Sequence, residues 1–349
     1  MRYFVVDAFA DKLFQGNPAG VCVADGPLSE GLMQRIASEN NLSETAFLAR
    51  RDDGEYDLRW FTPLEEIDLC GHATLGSSFV VFNELEPDRQ SVAFHTRSGV
   101  LRVERRGELL EMAFPVRRPE RVPLDPIAPL LIEALGVNPV ETWLYRDLLV
   151  LVNSQRDVER LVPDVGKMRL LPMGKAVVIT ARGDAGGPDF VSRFFAPEMG
   201  IAEDPVTGSS HSMLVPFWAD RLGKDRFVAR QLSSRGGTLH CALTPEAVLI
   251  SGRVVPYLKG DFCVVGKRLG LEEKPFYRSF LSPPYLFPRL LTLLNPCLRV
   301  FRIWLAGAVR QWRKGGFPRL LFLKGMSDCG LKPLSSGISG QWPEPACRA

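Results

Sequence analysis

Two stretches carry the residues best suited to chemistry. The first runs Arg59-Trp60-Phe61-Thr62-Pro63, continues through a loop with the acids Glu65, Glu66 and Asp68, and ends in Cys70-Gly71-His72. The second repeats the plan with Arg193-Phe194-Phe195-Ala196-Pro197, an acid-bearing loop closing on Glu203-Asp204, and then Thr207-Gly208-Ser209. Each ends in a glycine turn that opens a helix. The first turn of a helix has unpaired N–H donors and the positive end of the helix dipole, and glycine lets a ligand come close to the backbone. Two such starts facing each other make a site for an anion, most simply a substrate carboxylate. Taken singly, each is also what an ordinary tight turn before a small-residue helix looks like.

Candidate proton carriers lie in and near these stretches. Glu44, in Asn41-Leu42-Ser43-Glu44-Thr45-Ala46-Phe47, opens a half-buried strand, where a carboxylate could act as general base or simply be a solvated strand-edge acid. His72 could relay a proton or orient a substrate group, or be structural. Asp204 precedes Pro205 and could equally be a turn acid or cap. Cys70 has the helix-start setting that lowers a thiol pKa. Its counterpart in the second copy is Thr207, which cannot act as a partner thiol and argues against a symmetric two-cysteine racemase.

The elements that must hold these residues follow from periodicity and turn signals. Strands are predicted over 3–9 and 20–24, joined by a turn at Gly16-Asn17-Pro18-Ala19-Gly20. A helix is expected over 28–41, with Ser29 as N-cap, then strands over 43–48 and 56–61. A helix over 73–83 is rich in Gly, Ser and Ala, which suits close packing on all sides. Strands follow at 91–97, 100–106 and 109–114, and the proline-rich 116–126 reads as a linker. The second half repeats the recipe: helix 127–135, strands 140–145 and 148–153, a short helix near Gln155, strands 175–181 and 189–195, helix 211–222, and strands 226–232, 238–243, 246–251 and 253–257. Phe61 and Phe195 are 134 residues apart and Cys70 and Thr207 are 137 apart. That near-constant offset marks a duplication, and two matched halves imply a pseudo-twofold molecule with a cleft between them. The fold class expected is α+β, with halves 1–115 and 116–265 and an extension 266–349.

Composition excludes several classes. The chain has 349 residues, 46% hydrophobic and 24% charged, as in ordinary globular proteins. The net charge of +3 gives no reason to expect nucleic acid. Residues 266–349 carry 14 Lys and Arg against 4 Asp and Glu, whereas 1–265 carry 29 against 36. Seven scattered cysteines without a CxxC, and a chain start that reads at once as a strand, suggest reduced thiols and a cytoplasmic protein. No run of about 18 uncharged apolar residues suggests a membrane span. There is no Walker loop, no GxGxxG after a strand and no GxSxG elbow. The four histidines lack metal-site spacing, so no metal is expected.

Five blocks, in order, resemble the phenazine-biosynthesis-like (PhzF) family, which shares the diaminopimelate epimerase-like fold. They are Phe14-Gln15-Gly16-Asn17-Pro18-Ala19, Asn41 to Phe47, Arg59 to Thr74, Glu203 to His211, and Ser234-Arg235-Gly236-Gly237. The wording is most similar to the animal members. The resemblance covers roughly residues 1–265. It implies two domains, each a β-barrel-like sheet wrapped around a central helix, and a cofactor-independent isomerase with its active site between them. On this resemblance Glu44 matches the catalytic glutamate, and His72, Asp204 and Ser209 match its supporting residues. Gly71, Ala73, Thr207, Gly208, Asn17, Gly236 and Gly237 become the expected substrate-binding positions, and a homodimer is implied. The expected ligand is a small carboxylate-bearing metabolite that undergoes proton-shift isomerisation or epimerisation. Ser210 and Gly76 stand where many members have Ala. The competing expectation is a non-enzymatic binding or scaffold protein on an inherited isomerase fold.

Residues 266–349 have no counterpart in the family pattern. They hold 9 of the 27 prolines and 3 of the 6 tryptophans. Two readings stand: a poorly ordered extension, or short basic amphipathic segments that touch a protein partner or an anionic membrane surface.

Overall fold

The computed structural model describes residues 1–262. The expectations for 266–349 lie outside the described residues. Val-, Phe- and Leu-rich runs with one face turned inward form most of the strands, as the alternating burial of Tyr56–Phe61 illustrates. The first half contains β1 (Arg2–Ala8), β2 (Asn17–Ala24), α1 (Glu30–Asn40), β3 (Glu44–Arg50), β4 (Tyr56–Phe61), β5 (Glu66–Ile67), α2 (Gly71–Val80), β6 (Ser91–Thr96), β7 (Gly99–Arg106) and β8 (Leu109–Pro115). A short β9 (Glu120–Val122) follows. The second half contains α3 (Ala128–Leu135), β10 (Pro139–Leu144), β11 (Leu148–Val152), α4 (Gln155–Glu159), α5 (Val165–Met168), β12 (Val177–Arg182), β13 (Phe190–Ala196), β14 (Ile201–Asp204), α6 (Gly208–Leu222), β15 (Arg226–Gln231), β16 (Gly237–Leu243) and β17 (Ala247–Gly252), with β18 (Val254–Asp261) last.

The duplication is visible in the pairing. In the first half β2 runs parallel to β3, β3 antiparallel to β4, and β4 parallel to β6, before the β6-β7-β8 meander. The second half repeats each step: β11 parallel to β12, β12 antiparallel to β13, β13 parallel to β15, then β15-β16-β17. Each sheet curls around its own helix, which makes this the α+β, diaminopimelate epimerase-like fold. The helix α2 lies against β1, β2, β3 and β8, and α6 against β8, β16 and β17. Both are buried on nearly all sides, as their small side chains require.

The halves are tied by their last strands. β8 and β17 pair antiparallel across the boundary. Beyond them the chain crosses over: β9 pairs with β10, and β18 pairs along its length with β1. Residues 254–261 therefore complete the sheet of the first half although they follow the second in sequence.

The local expectations change in three places. Asn17 to Gly20, expected as a turn, begins β2; the turn lies before it, at residues 9–16. Pro18 is tolerated there because β3 starts pairing only at Ala19, so at that level β2 has β1 alone beside it. The helix expected over 73–83 starts two residues earlier, at Gly71, and its last turn, Val81–Leu85, widens to π geometry. The helix expected from His211 likewise starts at Gly208. Ser29 has the N-cap backbone but no side-chain cap bond, and Asn41 ends α1 in the left-handed region, at φ 49°. No helix among the described residues is long and apolar enough to cross a membrane.

Candidate active site

Each half presents its helix start with the same device. Arg59 grips Glu66 with both arms of its guanidinium, Nε to Oε1 at 2.6 Å and Nη2 to Oε2 at 2.5 Å. Arg193 grips Glu203 in the same way, at 2.7 and 2.9 Å. Each arginine also stacks over the phenylalanine two residues on, 5.2 Å from the centroid of Phe61 or Phe195. The strand is thereby clamped to the acid loop that leads into the helix, four residues before Cys70 or Thr207. Both of those N-cap residues have extended backbones, with φ −141° and −110°.

The two helix starts meet at one aromatic ring. A Cβ placed on Gly71 would lie 3.1 Å from Phe114 Cζ, and one on Gly208 would lie 3.8 Å from the same atom and 3.4 Å from Phe9 Cζ. At Gly71 a side chain would press on the Phe114 ring, whereas at Gly208 a Cβ would make ordinary contact with both rings. The positive ends of the two dipoles are thus brought together, as the duplicated motif implied.

Between them lies an asymmetric set of side chains. Thr45 pairs with Phe61 and Val177 with Phe195, so Glu44 corresponds to Ala176 in the other half. By the same logic Ile67 corresponds to Asp204, Cys70 to Thr207 and His72 to Ser209. One half supplies Glu44, Cys70 and His72, and the other supplies Asp204, Thr207 and Ser209. Glu44 Oε2 is 3.0 Å from His72 Nε2, and both side chains are about nine-tenths buried. This is an ion-pair separation without hydrogen-bond alignment; neither atom has a hydrogen-bond partner among the described residues.

Asn17 joins the halves. Fully buried, it donates from Nδ2 to Asp204 Oδ1 at 2.7 Å and to the Val206 carbonyl at 3.0 Å, and the same nitrogen is 3.3 Å from His72 Nδ1. Asp204 also accepts from the Thr207 hydroxyl. Thr207 is in turn set by Gln231, which accepts from its N–H at 2.9 Å and donates to the Asp204 carbonyl at 2.7 Å. Burial pushes the Asp204 carboxyl up to about 6, partly countered by His72 and by the bonds from Thr207 and Asn17. Burial works against the His72 imidazolium, but its acidic neighbours Cys70 and Glu44 outweigh that and raise it well above the usual histidine range.

Cys70 departs from expectation. Burial pushes its thiol up rather than down, and the Glu44 charge adds to the effect. The helix start is too little to offset desolvation of a thiolate in this setting. Its sulfur lies 3.6 Å from His72 Nδ1, so the thiol backs the imidazole. Donor atoms of Glu44, Cys70 and His72 all fall within 4.8 Å of one another, a grouping that histidine spacing alone did not reveal.

The remaining expected residues have definite places. Ala73 is fully buried in the first turn of α2, and Ser209 occupies the corresponding turn of α6, half-exposed. Gly236 has φ 66°, and its carbonyl accepts from Gly16 N–H at 2.7 Å. A Cβ on Gly237 would lie 2.5 Å from Val206 Cγ2 and 2.7 Å from the Phe9 carbonyl oxygen. Both glycines fasten the 9–16 turn, and with it Asn17, to the second half. Arg235 does the same, bonding Asp7 Oδ1 at 2.7 Å and the Gly16 carbonyl at 2.8 Å. Sequence reasoning missed the roles of Phe9, Phe114 and Gln231. Nothing local marks them: Phe9 and Phe114 reach glycines across the half boundary, and Gln231 bonds Thr207 and Asp204, 24 and 27 residues before it.

The two helix starts and the side chains between them thus form one buried cluster drawn from both duplicated halves. The family model for phenazine biosynthesis-like proteins matches residues 6–260. The chain belongs to that family, the PhzF proteins. It is 48% identical over 262 residues to an uncharacterised isomerase of Pseudomonas aeruginosa, covering 74% of this chain and 98% of that one. It is 37% identical over 285 residues to the human phenazine biosynthesis-like domain-containing protein, covering 74% and 97%. A crystal structure of a PhzF-family protein from Enterococcus faecalis superimposes with a TM-score of 0.72 at 43% identity, covering 75% of this chain and 99% of that one. The chain is an enzyme of the isomerase class.

Proposed function

We propose that the chain catalyses a cofactor-independent proton shift, an isomerisation or epimerisation, on a small carboxylic acid bound between the halves, with Glu44 as the general acid/base. The observation that carries this reading is the buried Glu44–His72 pair, 3.0 Å apart, whose facing atoms Oε2 and Nε2 have no hydrogen-bond partner among the described residues. A carboxylate so placed can take a proton from a carbon next to a carbonyl or double bond and return it at another position. His72 holds the carboxylate in place and carries positive charge towards it. Asp204, from the other half and titrating near 6, can exchange a proton near neutral pH. The N–H groups of the two helix starts suit the substrate carboxylate and the negative charge that develops on proton removal.

The test is Glu44→Gln, assayed by deuterium incorporation from heavy water across a panel of carboxylic acids with an ionisable α- or allylic C–H. Wild type should exchange deuterium into at least one acid, and the variant should lose that exchange while keeping its circular dichroism. Undiminished exchange in the folded variant would remove Glu44 from the chemistry. No exchange by wild type with any acid would favour the binding-protein alternative.

A further inference from the structure

Gln231 reaches the second helix start from a strand that carries none of the motif residues. It ends β15, is fully buried, and pairs in register with Ser192 of β13. Its amide has one possible orientation. Oε1 accepts from the Thr207 N–H at 2.9 Å and Nε2 donates to the Asp204 carbonyl at 2.7 Å, so backbone groups of fixed sense hold both ends. Nε2 also donates to the Thr207 hydroxyl oxygen, at 3.3 Å.

That third bond decides what the hydroxyl can do. A threonine hydroxyl has one hydrogen to give and lone pairs that receive. With Gln231 donating to the oxygen, the hydrogen is turned towards Asp204 Oδ2. Two observations set Thr207 apart from an ordinary helix start. An N-cap threonine usually turns its oxygen onto the N–H groups of the first turn, yet Thr207 makes no such bond to α6. Its hydroxyl serves Asp204 instead. The first half, moreover, has no counterpart of Gln231. By the register of β4 with β6 and of β13 with β15, the matching residue is Thr96, whose hydroxyl bonds the Gly99 carbonyl at 2.7 Å and not the start of α2.

We propose that Gln231 is a positioning residue for the proton chemistry: by donating to the Thr207 hydroxyl it keeps that hydroxyl a donor to Asp204, and so favours Asp204 as the carboxylate. This rests on the role in proton transfer given to Asp204 above. Asn17 donates to the other carboxylate oxygen, and hydrogen bonds to the charged form oppose the effect of burial. His72 and Glu44, from α2 and β3, are the titrating groups that act on Asp204 from the first half; His72 favours the carboxylate and Glu44 opposes it. Arg193 and Glu203, beside it on β13 and β14, are closed in their own clamp. Without Gln231 the hydroxyl can reverse and accept from a protonated Asp204, which removes one of the bonds that favour the charge.

Nuclear magnetic resonance of the full chain, with aspartate isotopically labelled at Cγ, tests this through the carboxyl signal that Asp204→Asn removes. In wild type its titration midpoint should lie at about 6. Gln231→Met should raise the midpoint by about one unit, a tenfold change in the ionisation constant. Thr207→Val should raise it by a similar amount, and the double variant should go no higher than Thr207→Val alone. Circular dichroism checks each fold; if Gln231→Met does not fold, Gln231→Glu takes its place and the same cycle subtracts the charge it adds. An unmoved midpoint, or shifts that add in full in the double variant, would overturn the proposal. The titration needs no substrate, so its failure leaves the Glu44 reading and its deuterium assay untouched. Deuterium exchange measured against pH supplies the other arm. A profile that moves with the midpoint supports the positioning role, whereas a midpoint that moves without the profile would take Asp204 out of the reaction, and Gln231 with it.

Discussion

Removing the acid of each Arg–Glu clamp should cost very different amounts of stability, because the arginines left without it lie at different depths although Glu66, at 6% exposure, is itself more buried than Glu203. The Arg193 side chain is 10% exposed and that of Glu203 23%. In Glu203→Ala, Arg193 Nη1 keeps the Leu161 carbonyl at 3.1 Å and a longer contact to Val158, but the cation loses its counter-charge. Stripping one partner from a buried pair costs roughly 3–5 kcal/mol. The surviving carbonyl bonds put the expected loss near the lower end, about 3 kcal/mol. Arg59 is 32% exposed and has Glu30 at 3.1 Å as a second partner, so its charge stays compensated and hydrated when Glu66 is removed. Exposed pairs are worth about 0–1 kcal/mol. Arg97, 2.7 Å from Glu66, also loses a contact but is half-exposed, so Glu66→Ala should cost about 1 kcal/mol. Urea unfolding at neutral pH, compared at equal m-value, measures both. The double change Arg193→Met with Glu203→Leu should recover most of the larger loss, since it leaves no unpaired charge. Equal losses in the two single variants, or no recovery in the double, would refute the idea that burial sets the cost.

Two other outcomes are expected. His211 is fully buried, donates from Nδ1 to the Thr207 carbonyl at 2.9 Å, and is held down to about 4 by burial. The unfolded chain therefore takes up a proton near pH 6.5 that the fold refuses. Stability is fully present above 6.5 and falls by about 3 kcal/mol as pH drops towards 4. Asp204, raised to about 6, acts in the opposite sense over an overlapping window. The test is thus the difference in slope between wild type and His211→Leu, and an unchanged slope would count against a neutral His211. Gly237→Ala forces a Cβ to within 2.7 Å of the Phe9 carbonyl oxygen and should lower stability by about 1–3 kcal/mol. A melting temperature equal to wild type would show that the 9–16 turn yields freely.

Much of the fold was legible because the chemistry of each half is local. Strand and helix positions follow from alternation and small-residue spacing, and the duplicated Arg-x-Phe-x-Pro segments gave the pseudo-symmetry directly. What escaped was set by partners far along the chain. Asn17 read as a turn residue because Gly-Asn-Pro is turn composition, yet β1 on one side makes a strand of it. Cys70 read as an acidic thiol because of its helix start, whereas burial beside Glu44 decides the sign. Gln231 carries no motif at all and is informative only through its bonds to Thr207 and Asp204. The clamp acids Glu66 and Glu203 were quoted within their motifs, but their pairing with Arg59 and Arg193 needed the strand register.

The crossing of β18 onto β1 bears on how the molecule is made. Arg2 pairs with Asp261 and Ala8 with Val254. During synthesis β1 can acquire β2 early, but its other edge stays open until more than two hundred further residues have left the ribosome. An open strand edge is a template for wrong pairing, and contacts this distant in sequence form slowly. The first half is therefore expected to wait, half-edged, for the last strand of the second. The window in which a nascent chain most needs protection closes only when residues 254–261 emerge.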